Sequence, residues 1–219
     1  MIAFDFSVVL AEWPLLAKGV AVTLGLTAVA ATVGVAIGVA CAWTRLHGAA
    51  WLKAIVSGYV ELIRNTPFIV QLFFVFFGLP QLGIKLSPET ASVLAMVINL
   101  GAYAAEIVRA GIATTPRGQV EAAQSLALSE LQVFTRVVLP PSLKRVWPAL
   151  TSQIIIVMLG SAVCGQISTP DLSYAANLIQ SRTFRAFESF IIVTAVYLAL
   201  SVALRHLLHW AGPRFIFGR

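Results

Sequence analysis

Charge is scarce in this chain. Asp, Glu, Lys and Arg make up 11% of its 219 residues, whereas hydrophobic residues make up 59%. Soluble domains carry nearer a quarter charged residues, so a water-surrounded globular domain is excluded. Cysteine is limited to Cys41 and Cys164. Both fall inside apolar runs, where they read as small packing residues rather than a disulfide or a metal pair. The histidines His47, His206 and His209 lie near the ends of apolar runs, and none makes a pair with metal-ligand spacing. None sits at membrane depth to serve a Ser/His or Cys/His catalytic set, so neither a catalytic nor a metal site is expected. No Gly-x-x-x-x-Gly-Lys-[Ser/Thr] stretch occurs. The chain therefore cannot itself supply an ATP site of that class. The net charge of +6 comes without the clustered basic face that nucleic acid requires. Residues 1–16 carry Asp5 and Glu12 and lack a basic start, so no cleavable signal peptide is expected.

Long apolar runs are what the chain does have. About 20 mainly apolar residues make one membrane-spanning helix. Five runs qualify, at 19–44, 53–79, 92–113, 147–169 and 188–207, and they predict an all-α integral membrane protein forming one domain over 1–219. Lys and Arg set the orientation. Arg45, Lys53, Arg117, Arg136, Lys144, Arg145, Arg205, Arg214 and Arg219 fall on one side, and Lys18, Lys85, Arg182 and Arg185 on the other. The richer side is expected in the cytoplasm. The N-terminus then lies outside, the C-terminus inside, and the loop 114–146 faces the cytoplasm.

Within the spans, polar residues are few and patterned. The first carries Gly34-x-x-x-Gly38, a spacing that lets another helix approach closely. The second carries Glu61, Arg64, Asn65, Thr66, Pro67 and Gln71. Glu61 and Arg64 can share a face, and Pro67 predicts a kink. In the third, Asn99, Tyr103, Glu106 and Ala110 recur at helical spacing. Such a stripe points into an aqueous path or into a buried network with Glu106 paired to Arg109 or a neighbouring span. The loop reads as two short amphipathic helices with a break near Ala127–Ser129. Ser129 with Gln132 is a capping-box pattern, and Leu139-Pro140-Pro141 is expected to end the second helix. In Pro170–Glu188, Leu172, Ala176 and Ile179 have helical spacing and suggest a short helix at the outer surface.

Glu121-Ala122-Ala123, three residues, Ala127, nine residues and Val137-Val138-Leu139-Pro140 resemble the EAA loop of bacterial ABC importer permeases. That pattern has glycine where Ala127 stands. Glu61–Gln71 resembles the ELIRGTP-x-x-x-Q signature of the polar amino-acid branch, with Asn65 in place of glycine. Gly101-Ala102-Tyr103-x-x-Glu106-x-x-Arg109-Ala110-Gly111-Ile112 resembles that branch too, and the likeness covers about Thr23 to Leu150. Where the branch often has Lys-Asp-Thr-Ser-Leu, this chain has Leu159-Gly160-Ser161-Ala162-Val163, so a carboxylate is missing and only the Ser161 hydroxyl remains.

The resemblance implies a pore-forming permease subunit of an amino-acid importer in the bacterial inner membrane. Its coupling helix would meet the ATP-binding subunit through Glu121, Ala122, Ala123, Ser125, Leu126, Ala127 and Leu128. Its substrate path would include Gln71, Asn99, Tyr103, Glu106 and Ser161. Implied partners are two ATP-binding subunits holding ATP and Mg, a second permease subunit, identical or related, and an extracytoplasmic solute-binding protein. A channel or ion-coupled secondary transporter is the alternative. It would call for inverted repeats, and no repeat of the spans is visible.

Overall fold

The structure is a computed structural model that describes residues 4–212 and 214; Met1–Ala3 and the orientation marker Arg219 lie outside the described residues. The chain is helical almost throughout. Helix α1 (Ser7–Ala11) leads into α2 (Trp13–His47), and α3 (Ala50–Arg64) and α4 (Phe68–Phe73) follow. A π-helical turn (Phe74–Gly78) and a 3-10 turn (Leu79–Leu82) extend α4. Then come α5 (Pro88–Ile112), α6 (Arg117–Ser125), α7 (Glu130–Gln132), α8 (Leu139–Gly160), α9 (Leu172–Thr183) and α10 (Ala186–Ala211).

Among the described residues, four helical stretches are long and apolar enough to cross a membrane: Trp13–His47, Pro88–Ile112, Glu130–Ile167 and Ala186–Ala211. The expected second span is a fifth only if its two halves count as one. Ala50–Arg64 and Phe68–Leu82 are bent from each other by 112°, so the kink expected at Pro67 is a full break.

Helix α5 is the core. In its apolar window 67% of residues are buried, against 17% in α10. Small residues let its neighbours approach. A Cβ on Gly34 would stand 3.0 Å from the Leu100 side chain, and one on Gly38 would stand 2.5 Å from that of Ala104. The partner of the Gly34-x-x-x-Gly38 face is thus α5 of the same chain. Gly101 of α5 in turn makes room for Tyr59, whose hydroxyl donates to the Ile98 carbonyl at 2.7 Å.

The prolines Pro140 and Pro141 do not end a helix. The chain passes from α7 through a π-helical turn (Val133–Val138) straight into α8. Prolines at the start of α8 lose only N–H groups, and the wider preceding turn moves its carbonyls clear of the rings. The helix that carries the expected fourth span therefore begins well before residue 147. Helix α9 forms as expected, but its Leu172, Ala176 and Ile179 are buried rather than spread over a surface. Its N-cap, Asp171, is fully buried. The carboxylate accepts from the Tyr174 amide at 2.9 Å and the Tyr197 hydroxyl at 3.2 Å. Burial pushes the Asp171 carboxyl up from its usual range, and these hydrogen bonds oppose that shift.

Candidate functional site: a capped turn and a braced break

Two places carry the polar residues singled out above. The first is the turn after α6. Leu126 caps α6, and Ala127 takes the left-handed backbone with φ of 56°. The Ala127 amide donates to the Gln124 carbonyl at 2.9 Å and the Leu128 amide to the Ala123 carbonyl at 3.4 Å. This is the Schellman arrangement, in which the left-handed residue is ordinarily glycine. The turn keeps the backbone shape that glycine provides, although alanine stands there. Ser129 then starts α7 with its capping box: Gln132 N–H donates to the Ser129 hydroxyl, and Ser129 N–H donates to the Gln132 side chain.

The turn sorts the expected docking residues into two sets. Ala123 faces inward and is 5% exposed, packed with Val133, Phe134 and Val138. Leu128 is partly buried on the same cluster. Glu121, Ala122, Ser125, Leu126 and Ala127 face out. Leu126 is 78% exposed at the tip. An apolar side chain held out on a rigid turn suits docking against another protein. The two adjacent alanines therefore do different work: Ala122 leaves the outer surface flat, and Ala123 fits the interior.

The second place is the break between α3 and α4. A helix end leaves four carbonyls without intrahelical partners, and lipid supplies none. Here the Asn65 backbone N–H reaches Glu61 O at 3.1 Å, and side chains reach Glu61 O and the three carbonyls after it. Asn65 Nδ2 donates to Glu61 O at 2.8 Å. Thr66 Oγ1 donates to Leu62 O at 2.8 Å. Gln71 Nε2 donates to Ile63 O at 2.7 Å. Tyr103 Oη donates to Arg64 O at 3.5 Å. Asn65, which stands where the branch has glycine, adopts an ordinary φ of −100° and contributes a cap that glycine lacks. Gln71 also donates to Thr66, and its Oε1 accepts from Asn99 Nδ2 at 2.9 Å. The Arg64 guanidinium lies 5.6 Å from the centre of the Tyr103 ring, a cation–π contact. Among the described residues no ion pair joins Arg64 to Glu61.

Gln71, Asn99 and Tyr103 are thus brought together, whereas Glu106 and Ser161 are set apart from them. Glu106 pairs with Arg45 of α2 at 2.9 Å and with Arg109 one turn on. Reading the chain alone assigned Arg45 only to topology. It lies seven residues beyond Gly38, on the face that packs against α5, and that spacing was the available signal. Ser161 is fully buried. Its neighbour Gly160 lines a small cavity of about 90 Å³ with Phe68, Asn99, Ile156 and Val157. A second cavity, about 540 Å³ and almost wholly apolar, is lined by Gln71, Thr66, Phe74 and Ile98 among others.

Residues 34–217 match the family described as binding-protein-dependent transport system inner membrane component. The chain belongs to that family. It is a non-catalytic, multi-pass permease subunit of the bacterial inner membrane. The probable glutamine ABC transporter permease protein GlnM of Bacillus subtilis is 36% identical over 168 residues, 77% of this chain and 78% of that one. The glutamine transport system permease protein GlnP of Escherichia coli K12 is 32% identical over 207 residues, 94% of each chain. Among solved structures, an amino acid ABC transporter with histidines superposes with a TM-score of 0.86 at 37% identity, covering 95% of this permease and 98% of that chain. An inward-facing MetNI methionine ABC transporter gives 0.71 at 25% identity, with 94% and 97% covered.

Proposed function

We propose that this permease is the pore-forming subunit of an ATP-driven amino-acid importer. The observation that carries the reading is the exposed turn Glu121–Ala127, with Leu126 held out on a left-handed cap where the family loop has glycine. Relatives named for glutamine transport and a structural neighbour solved with histidines support a polar amino acid as cargo. Family membership implies an assembly of permease, ATPase and solute-binding protein. In our reading two ATP-binding subunits hold ATP and Mg, and a second permease, identical or related, completes the pore. The α6 end lies in the cytoplasm, where the positive-inside count puts it. The N-terminus lies outside, and the broken second span counts as one crossing of five.

The path runs along the α5 face past Gln71, Asn99, Tyr103 and Glu106, with Ser161 behind Gly160. ATP-driven closure of the ATPases moves α6, and the helices swing between inward-open and outward-open states. The purified complex in proteoliposomes, assayed with its solute-binding protein and a panel of amino acids, tests this. One or more amino acids should stimulate ATP hydrolysis. Leu126→Asp should release the ATPase from the purified complex and reduce uptake to background while the helices remain inserted. Full co-purification with normal uptake would sink the docking role.

A further inference from the structure

The polar groups at the break are already occupied. Both ends of the Gln71 amide are engaged: Nε2 with Ile63 O, Thr66 O and Thr66 Oγ1, and Oε1 with Asn99. The Asn99 side chain spends a donor on Gln71, and Tyr103 spends its hydroxyl on Arg64 O. A substrate would have to displace the half-buried Gln71 bonds and leave the Ile63 carbonyl without its donor, which is costly. Helix α5 moreover grips both halves of the break at once. Tyr103 holds the end of α3, and Asn99 holds α4 through Gln71. The two gripping residues are one turn apart on one face of the most buried helix.

We propose that Gln71, Asn99 and Tyr103 are positioning residues: they form a brace that fixes the angle of the second span and makes the break travel with α5 during transport. This rests on the permease reading above. The brace acts on the substrate only through the shape of the path. Losing it lets α4 swing independently of α5, so ATP is hydrolysed without a matching displacement of the path.

The test uses the full complex in proteoliposomes, with L-glutamine and L-histidine as probes. Gln71→Leu and Asn99→Leu should each lower uptake per ATP hydrolysed by about tenfold, the factor that goes with losing one or two such hydrogen bonds. The KM for either probe should stay within about twofold, and the double variant should be no worse than the singles, because the residues act as one unit. Spin labels at Ser57 and Phe77, in a Cys41→Ala/Cys164→Ala background, should show a broadened distance distribution. Tyr103→Phe keeps the ring and loses only the hydroxyl, so it reads the same effect at smaller size if the leucine variants assemble poorly. A KM raised roughly tenfold with unchanged distances would make these residues substrate ligands and overturn the brace. Unchanged coupling and unchanged distances would also overturn it. Wild-type complex that no amino acid stimulates would instead overturn the transport reading, and the distance distributions alone would then decide the brace.

Discussion

Two of the proline sites in this chain's apolar stretches, Pro67 and Pro140-Pro141, have opposite outcomes. At Pro67 the helix breaks and turns by 112°. At Pro140 and Pro141 it runs on, from a π-helical turn into α8, which ends at Gly160. The ring chemistry is the same, so proline alone does not decide. What differs is the residues nearby. Before Pro67 stand Asn65 and Thr66, short polar side chains that hydrogen-bond the preceding carbonyls and stabilise an ended helix. Before Pro140 stand Val137, Val138 and Leu139, which have nothing to offer a bare carbonyl. The chain there keeps its carbonyls engaged by widening one turn. A proline in a membrane helix permits a break, and the neighbouring side chains decide whether one forms.

Removing the local caps should have the largest effect. The double substitution Asn65→Leu/Thr66→Val strips Glu61 O and Leu62 O of their side-chain donors. It should destabilise the protein by about 2–3 kcal/mol, read as a lower unfolding temperature in lipid-supplemented detergent. No loss would mean that water, not these side chains, serves the carbonyls. Pro67→Ala should do less, because the caps remain. Spin labels at Ser57 and Phe77 should keep the separation that the 112° bend sets. A shift toward about 30 Å, the span of 20 residues of straight helix, would show that the proline itself imposes the angle. Ala127→Gly, in the turn that feeds the uninterrupted helix, should stabilise by about 0.5–1 kcal/mol, since the left-handed backbone disfavours a Cβ. A loss of stability there would mean that glycine's extra freedom in the unfolded chain outweighs the relief. Smallest of all, Pro140→Ala should change stability by less than about 0.5 kcal/mol. A larger loss would show that the prolines hold the π-helical turn in place.

The parts of this fold that were legible in the sequence are those set by local chemistry. Long, mainly apolar runs marked the long helices because burial in lipid needs only length and apolarity. Ser129 and Gln132 announced their capping box because both partners lie within one turn. Ala127 flagged its turn because a residue stood where glycine serves a special backbone shape. The rest depends on partners brought together by packing. At the 112° bend Tyr103 and Asn99 arrive from α5. The passage past Pro140 depends on one wider turn, which no residue type specifies. The inward facing of Ala123 depends on where Phe134 and Val138 settle, so two neighbouring alanines that look alike in sequence have different surroundings. For the path residues, spacing put Asn99, Tyr103 and Glu106 on one stripe. It could not tell that the first two would bind backbone and amide while the third would bind two arginines.

The seam at Gly34 and Gly38 has a mechanical consequence. With no room for even a methyl group between them, α2 and α5 have little freedom to slide or roll against each other. They behave as one beam, further pinned near its base where Arg45 meets Glu106. Helix α5 has 25 residues, which makes it about 38 Å long. A tilt of about 10° at the base then displaces the far tip by roughly 6 Å, on the scale of one helical turn. A small push at the Glu106 end thus becomes a large displacement at the other, with leverage set by helix length and stiffness set by two missing side chains.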